Sequence, residues 1–383
     1  MTMTTTSHSA LRLFLGGVAS ALLLVACGGG VSPNAGEVRL VNATGGTVDL
    51  YEDTDRLTAG VAAFTAGGYE DLDKGDYTFS VRGGVAGATV ATLDATLAKD
   101  SHLALVAYSN AGTPALAAVD EEEDRPDKGN AKLRFFNTAS SDIGSIDAYL
   151  IATTSDCSAL STMDIAVASA VSGLQETFTV INPREAPPYR LCVTAAGDRT
   201  DIRLDADLAV GDREVVTMIL TRTAGAVLLN GMVLVQQGAV TAVANASARV
   251  RLVVGVGSGT VMASYVTATS STTLGDAAAP SVGTYRNVPV GANLAVTLSG
   301  GGTVTLPTNA ISGGGDYTLL VFDGPTAGTA IATLLTDDNA RSTNGAKPVK
   351  IRLVHGAGDT RKADLDVGSD FIGGVGQGEA SPY

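Results

Sequence analysis

The chain has no tryptophan, three cysteines and three histidines in 383 residues, and aromatic side chains make up 5% of it. Each scarcity excludes something. Without Trp, and with most Tyr and Phe in strand patterns, the exposed aromatic platforms that usually hold sugars are weakly represented. Beyond the N-terminal segment only His102 and His355 remain. No His-Glu-x-x-His helix is present for a hydrolytic zinc, and so few histidines assemble no Ser-His-acid set. His102 falls in the alternating strand Ser101–Tyr108, where a hydrogen-bonded structural place is expected, and His355 ends a strand. Positive charge is scarce as well: 25 Lys and Arg against 39 Asp and Glu give a net −14. Such a surface repels nucleic acid phosphates and anionic lipid heads. The expectation is no catalytic residue, no metal site, no cofactor and no nucleic acid partner.

Cys157 and Cys192 lie in one stretch of chain without nearby His, so no zinc spacing arises. In an exported protein such a pair reads as a disulfide closing a loop of about 35 residues. Two free buried thiols are the alternative reading.

The third cysteine has a different setting. Leu11–Ala26 is apolar apart from Arg12 and Ser20, and is too short and Gly/Ala-rich to span a bilayer comfortably. It ends in Leu24-Val25-Ala26-Cys27, followed by Gly28-Gly29-Gly30. A short apolar run ending in small residues reads as a cleavable export signal. The four residues resemble the bacterial lipobox. That resemblance implies cleavage after Ala26, a diacylglyceryl group on the Cys27 sulfur and acylation of its new amino group. Several acyl chains anchor firmly where one is marginal. Gly28, rather than Asp, after the cysteine implies sorting to the outer membrane of a Gram-negative envelope. Removing residues 1–26 takes away Arg12 and no acid, leaving an even more acidic chain.

What the chain has in quantity is a repeat. Four segments open alike: Val38-Arg39-Leu40-Val41-Asn42, Leu133-Arg134-Phe135-Phe136-Asn137, Val250-Arg251-Leu252-Val253-Val254 and Ile351-Arg352-Leu353-Val354-His355. Their arginines recur roughly every hundred residues, the size of a small sandwich domain. A second landmark follows each: Val48-Asp49-Leu50-Tyr51, Ile146-Asp147-Ala148-Tyr149, Met262-Ala263-Ser264-Tyr265 and Ala363-Asp364-Leu365-Asp366. A third is Tyr69 ahead of the glycine-entered strand Tyr77–Val81, matched by Tyr285 ahead of Leu294–Leu298. In the first unit, strands are expected near 37–43, 47–52, 57–64, 76–83, 89–97, 102–109 and 114–119. Seven short strands with regular turn signals indicate an antiparallel sandwich. The one weak helix candidate is 160–175.

Together these elements resemble the bacterial domain of unknown function 4397, a β-sandwich often found in tandem in exported and lipid-anchored proteins. The resemblance implies architecture and location, since that family carries no established activity. The expected fold is all-β: tandem antiparallel, immunoglobulin-like sandwiches, the last incomplete. The expected map is a signal at 1–26, a lipidated tether at 27–36 and repeats at 37–120, 130–245 and 246–336. An acidic linker at 121–129, a second linker at 337–348 and a shortened fourth repeat at 349–383 complete it. The linkers are expected to be solvated, a calcium site in the acidic run being the lesser reading. The fourth unit ends at Tyr383, where the others carry Tyr69 and Tyr285. It is expected to be a fragment, a disordered tail, or a segment docked on a neighbour.

Other candidates are bland. Gly255–Gly259 and Gly373–Gly378 are loops without the following helix that a phosphate cradle needs. Asp pairs at 53/55, 71/73 and 205/207 sit beside turns. Asp49 and Asp147 recur at matched positions and are expected to hold a neighbouring turn by hydrogen bonds. Since Ala263 replaces the acid in the third unit, no chemistry common to all units depends on it. The expected function is non-catalytic: a protein anchored to the membrane through Cys27, with a structural or interaction role toward unknown envelope or surface proteins. A lipoprotein that binds glycan or calcium is the alternative.

Overall fold

The computed structural model describes residues 33–383 apart from 84–87, 184–187, 269, 300–301, 307–310, 341, 343–348, 358–360 and 369. The expected signal and Cys27 lie outside the described residues. Nearly all regular structure is strand. Among the described residues the helices are one four-residue turn, Ser140–Ile143, and a 3-10 turn, Cys157–Ala159. The helix candidate at 160–175 is thus corrected: strand Ala168–Val171 runs through it.

The first sandwich contains β1 (Ala35–Asn42), β2 (Val48–Glu52), β3 (Asp55–Val61), β4 (Thr65–Ala66), β5 (Glu70–Asp73), β6 (Gly75–Gly83), β7 (Ala88–Leu97), β8 (His102–Asn110) and β9 (Thr113–Asp120). One sheet runs β4/β5-β1-β8-β9 and the facing sheet β3-β2-β6-β7. The second sandwich repeats this with β10 (Ala131–Asn137), β11 (Ile146–Ala152), β12 (Ala168–Val171), β13 (Thr179–Ile181), β14 (Tyr189–Ala195), β15 (Asp198–Leu208), β16 (Val215–Arg222), β17 (Leu229–Val235) and β18 (Val240–Val243). Its sheets are β13-β10-β16-β17-β18 and β12-β11-β14-β15. The third has β19 (Ser247–Gly255), β20 (Thr260–Val266), β21 (Ser271–Ala278), β22 (Ser281–Val282), β23 (Arg286–Pro289), β24 (Asn293–Leu298), β25 (Thr303–Thr305), β26 (Asp316–Asp323) and β27 (Thr329–Asp337). Its opening strand again lies beside the next-to-last long strand, in the order β22/β23-β19-β26-β27-β25. A hairpin, β28 (Ala363–Val367) and β29 (Asp370–Val375), follows.

The sandwiches are not purely antiparallel. The opening strand pairs in parallel with β8, β16 and β26 in the three units, as in Val38 opposite Leu103, Leu133 opposite Val216 and Val250 opposite Tyr317. A parallel neighbour needs a long crossover, and here the facing sheet supplies it. The period-two alternation that marks a half-buried strand is the same for either direction, so the pattern alone does not distinguish them.

Each sandwich closes on its own core, typified by Leu40, Leu50 and Phe79 in the first, Leu133, Leu191 and Met218 in the second, and Leu252, Leu319 and Val321 in the third. A further core lies between units. Val41, Ala104, Val106 and Val119 on the outer face of the first sandwich pack on Phe136, Ile219, Met232 and Leu234 of the second. Strand β8 is therefore buried on both faces, which is why Leu103-Ala104-Leu105-Val106-Ala107 reads as a continuous apolar run.

The run after β9 is only in part the solvated linker expected: Glu122, Asp124 and Asp127 are exposed, and Glu121 is not. Glu121 is 1% exposed. Its carboxylate pairs with the Arg39 guanidinium and accepts a hydrogen bond from the Tyr69 hydroxyl at 2.6 Å. Arg39 also donates to the Gly238 and Val235 carbonyls of the second unit, at 2.5 and 3.1 Å. Glu123 pairs with Lys132, and Glu122 meets His102. Glu121 and Glu123 are thus paired with Arg39 and Lys132.

The C-terminal segment docks on the third sandwich. Arg352 pairs with the fully buried Asp337 and donates to the Thr336 carbonyl at 2.7 Å. The equivalent Arg134 donates to the Asp120 carbonyl at 2.9 Å. Residues 353–355 exchange backbone hydrogen bonds with 378–381. Gly378 approaches the third sandwich so closely that a Cβ there would lie 2.5 Å from the Phe322 ring. Asp337, at the start of the expected linker, is a buried docking group, and the exposed Asp338 pairs with Lys350.

Two outcomes follow from the Arg39–Glu121–Tyr69 cluster. Glu121→Ala strands a buried guanidinium and should cost about 3–5 kcal/mol in urea unfolding. Arg39→Met with Glu121→Gln removes both charges and should cost less. The Tyr69 hydroxyl is pushed well above its ordinary value, first by burial, then by its bond to Glu121 and that group's charge, with Arg39 opposing. An acid whose folded pKa is raised contributes stability that is intact below the ordinary phenol value near 10 and is lost above it. Unfolding midpoints should fall as the pH rises past about 10, and Tyr69→Phe should flatten that fall.

Candidate functional site

The matched aspartates occupy one structural position. Asp49 Oδ1 accepts the Gly60 amide at 2.6 Å, Asp147 accepts Ala170 and Gly197 at 2.8 and 2.9 Å, and Asp364 accepts Gly374 at 2.7 Å. Every one of those donors has a left-handed backbone, with φ of 67°, 53°, 78° and 75°. The pairing register shifts opposite the acid in each unit, between Val48/Leu50, Ile146/Ala148 and Ala363/Leu365. The aspartate thus fastens a β-bulge in the neighbouring strand, the turn-holding role expected of Asp49 and Asp147. Such bulges leave an amide without a ladder partner, and a carboxylate supplies one. In the third unit the register shifts one residue later, between Ala263 and Ser264, without an acid.

Cys157 and Cys192 are joined in a disulfide with Cα atoms 5.5 Å apart. With Tyr149, and packed by Leu160, Ala166 and Ile202, they form a small satellite core outside the second sandwich. Asp205 Oδ1 lies 2.9 Å from the Cys157 sulfur and pairs with Arg190. These two cysteines and Asp205 are the group among the described residues that could hold a metal. With the sulfurs bonded to each other there is no thiolate to offer one. The loop is also held by Arg199, which donates to the Asp164 carbonyl at 2.9 Å and stacks on Tyr149.

His102 Nδ1 lies 2.6 Å from Glu122 and 3.1 Å from the Gln237 amide, with its ring edge-on to Tyr69. These contacts join units one and two, the structural place expected of it. His355 is buried beneath the C-terminal segment, its backbone bonded to Glu379 and Gly378. The histidines therefore sit in separate interfaces.

The residue missed as a functional position is the opening arginine, read from the sequence only as a repeat mark. In all four units it stacks on an aromatic ring: Arg39 on Tyr69, Arg134 on Phe178, Arg251 on Tyr285 and Arg352 on Tyr383, at 4.4–4.9 Å from the centroids. Where the ring is Tyr69 or Tyr285, its hydroxyl donates to a buried acid, Glu121 or Asp337. Where it is Phe178, the ladder position of that acid is Gln236, and Arg134 donates to Thr217 instead. The signal was available as a shared order of Arg, aromatic and acid in units one and three.

Residues 36–149 match the domain of unknown function DUF4397. The matched segment takes in the first sandwich from Gly36 onward and runs to Tyr149 on β11, so it includes two opening arginines and two of the bulge-fastening aspartates. No curated protein matches the chain. Among solved structures, the Bacillus anthracis TIE protein is similar at 7% identity and a TM-score of 0.14, over 70% of this chain. The alignment spans 45% of that protein's length, and the likeness is too weak to carry an argument.

Asp147→Ala should lower stability by about 1.5–3 kcal/mol, the worth of hydrogen bonds to a charged group. Asp147→Asn, which keeps an acceptor, should cost less. Urea unfolding of both variants checks this, and equal losses would count against the bulge-fastening role.

Proposed function

We propose that this is a lipid-anchored extracytoplasmic protein whose stacked sandwiches form a structural or protein-interaction module without catalysis. The observation that supports it best is where the reactive-looking groups go. Arg39, Glu121, His102 and Glu122 are spent on one another at the edge of unit one, with Arg39 and His102 also bonded to residues 235–238 of unit two, and Arg352 and Asp337 pair across the joint of unit three and the C-terminal segment. Such groups set the arrangement of units and are not gathered in one cleft. The acidic balance argues against nucleic acid and suits solubility outside the cytoplasm.

The anchor reading rests on the sequence Leu24-Val25-Ala26-Cys27-Gly28 and on nothing downstream of it. It places the protein in the envelope, at the outer membrane by the sorting rule, with envelope or surface proteins as partners. The disulfide between Cys157 and Cys192 fits an oxidising compartment.

Metabolic labelling with palmitate should mark the full chain in its host, and Cys27→Ser should abolish the label and the globomycin-sensitive processing step. Labelling that survives Cys27→Ser would refute the anchor. A hydrolytic activity of the purified chain that His102→Ala abolishes would refute the non-catalytic reading.

A further inference from the structure

We propose that the open end of the first sandwich is a binding pocket for a single aliphatic hydrocarbon chain. A recess of about 420 Å³ opens there between the two sheets, walled by Val48, Val81, Val90, Ala91, Ala107 and Tyr108. That volume falls in the range of roughly 300–1,000 Å³ typical of ligand pockets, which favour the mouths of closed or nearly closed β structures.

The second sandwich shows why the recess exists. In the first, Leu50 pairs with Val81 and Val81 with Ala91; in the second, Ala148 pairs with Val193 and Val193 with Leu204. Asn42 stands opposite Ala107, and its counterpart Asn137 stands opposite Leu220. The fully buried Leu204 and Leu220 of the second unit are thus alanines in the first, while Leu50 stands where the second has Ala148, so the first is short of one leucine overall. Leucine-to-alanine differences in a packed core leave space that the surroundings only partly close. Space with apolar walls stays dry and accepts apolar guests.

The walls favour an aliphatic chain. They are Val and Ala, with Pro114 and Ala115 continuing the surface, and the Thr44 hydroxyl is already bonded to Asn42. Thr47 is the side chain left to meet a polar head at the rim, since the Tyr108 ring packs on Phe136 of the second unit. The same end of the third sandwich holds a recess of about 450 Å³ walled by Ser258, Thr260, Ser299, Asp323 and Thr329. One position in the fold thus carries an apolar recess in one unit, leucines in the next and a polar recess in the third.

The test uses the full chain carrying Cys27→Ser, so that no acyl group of its own competes. N-phenyl-1-naphthylamine should fluoresce on binding and be displaced by dodecanoate, by dihexanoyl phosphatidylcholine below its micellar concentration, or by both. Displacement by dodecanoate identifies a free fatty acid as the better occupant, and displacement by the phospholipid alone identifies a lipid acyl chain. No fluorescence rise, or displacement by neither, overturns the proposal. Ala91→Leu with Ala107→Leu, the residues of the second unit, should weaken probe binding at least tenfold and raise the thermal midpoint; unchanged affinity overturns it. Should that variant not fold, doxyl-labelled dodecanoate bound to the chain without those two changes replaces it. The label should broaden the methyl signals of Val81 and Ala91, and broadening confined to other residues overturns it.

Discussion

The arrangement depends on taking the opening guanidinium out of water, fully at Arg39 and Arg134 and in part at Arg251 and Arg352. The opening arginine lies on the outer face of its sheet, where a lone sandwich would leave it in water. Taking such a group out of water is costly unless hydrogen-bonded partners replace its hydration. Arg39 finds them in Glu121, in the ring of Tyr69 and in two carbonyls of the next unit. The partners change together: a tyrosine accompanies a buried acid in units one and three, and a phenylalanine accompanies glutamine in unit two. A phenylalanine has no hydroxyl to donate, so an acid at Gln236 would lose one of the bonds that Glu121 has. The cluster explains why the units stack in pairs, the first with the second and the third with the C-terminal segment. At the joint of units two and three the links are backbone and amide, Ala246 to Asp205 and Asn287 to Ile202.

Much of this was legible in the residues, and the limits are physical. The strand-like alternation and the recurrence of Val-Arg-Leu and Val-Asp-Leu-Tyr are local patterns, and they located the strands within a few residues. Thr65–Ala66 and Glu70–Asp73, the short pieces flanking the opening strand, are too brief to show alternation and were missed. The acidic runs misled because burial of a charge is decided by a distant partner. Arg39 and Glu121 are 82 residues apart, and nothing local to Glu121-Glu122-Glu123 marks it as buried. The parallel pairing was hidden for a related reason, since alternation reports faces and not directions. Asp49 and Asp147 were read correctly because their role is near in sequence and recurs.

The bulge and the shortened unit belong to one argument about tolerance. A unit that keeps the aspartate uses it to fasten a left-handed residue, and in the second unit that residue is Ala170, whose Cβ disfavours the conformation. Asp147 offsets that strain with two charge-assisted bonds. The third unit has a bulge placed one residue later and does without the acid. In the C-terminal segment Asp364 and Gly374 keep the device in the hairpin of β28 and β29. The segment is held on the third sandwich by Arg352 on Asp337 and by backbone laid against Phe322.

Stacking through the sheet faces also decides where the units are free to differ. The outer face of the first sandwich is committed to the second by Val41, Val106, Ile219 and Met232, and change there disturbs two units at once. The open ends of the sandwiches touch no such constraint. They are where the repeats diverge in chemistry: Ala107 of the first unit is matched by Leu220 in the second and Val321 in the third, and the recess of the third is lined by Ser258, Ser299 and Asp323. A scaffold that fixes its faces and varies its ends separates assembly from recognition. Specific contacts with a ligand are therefore better sought at the ends, even though the charged side chains that first attract notice lie on the faces.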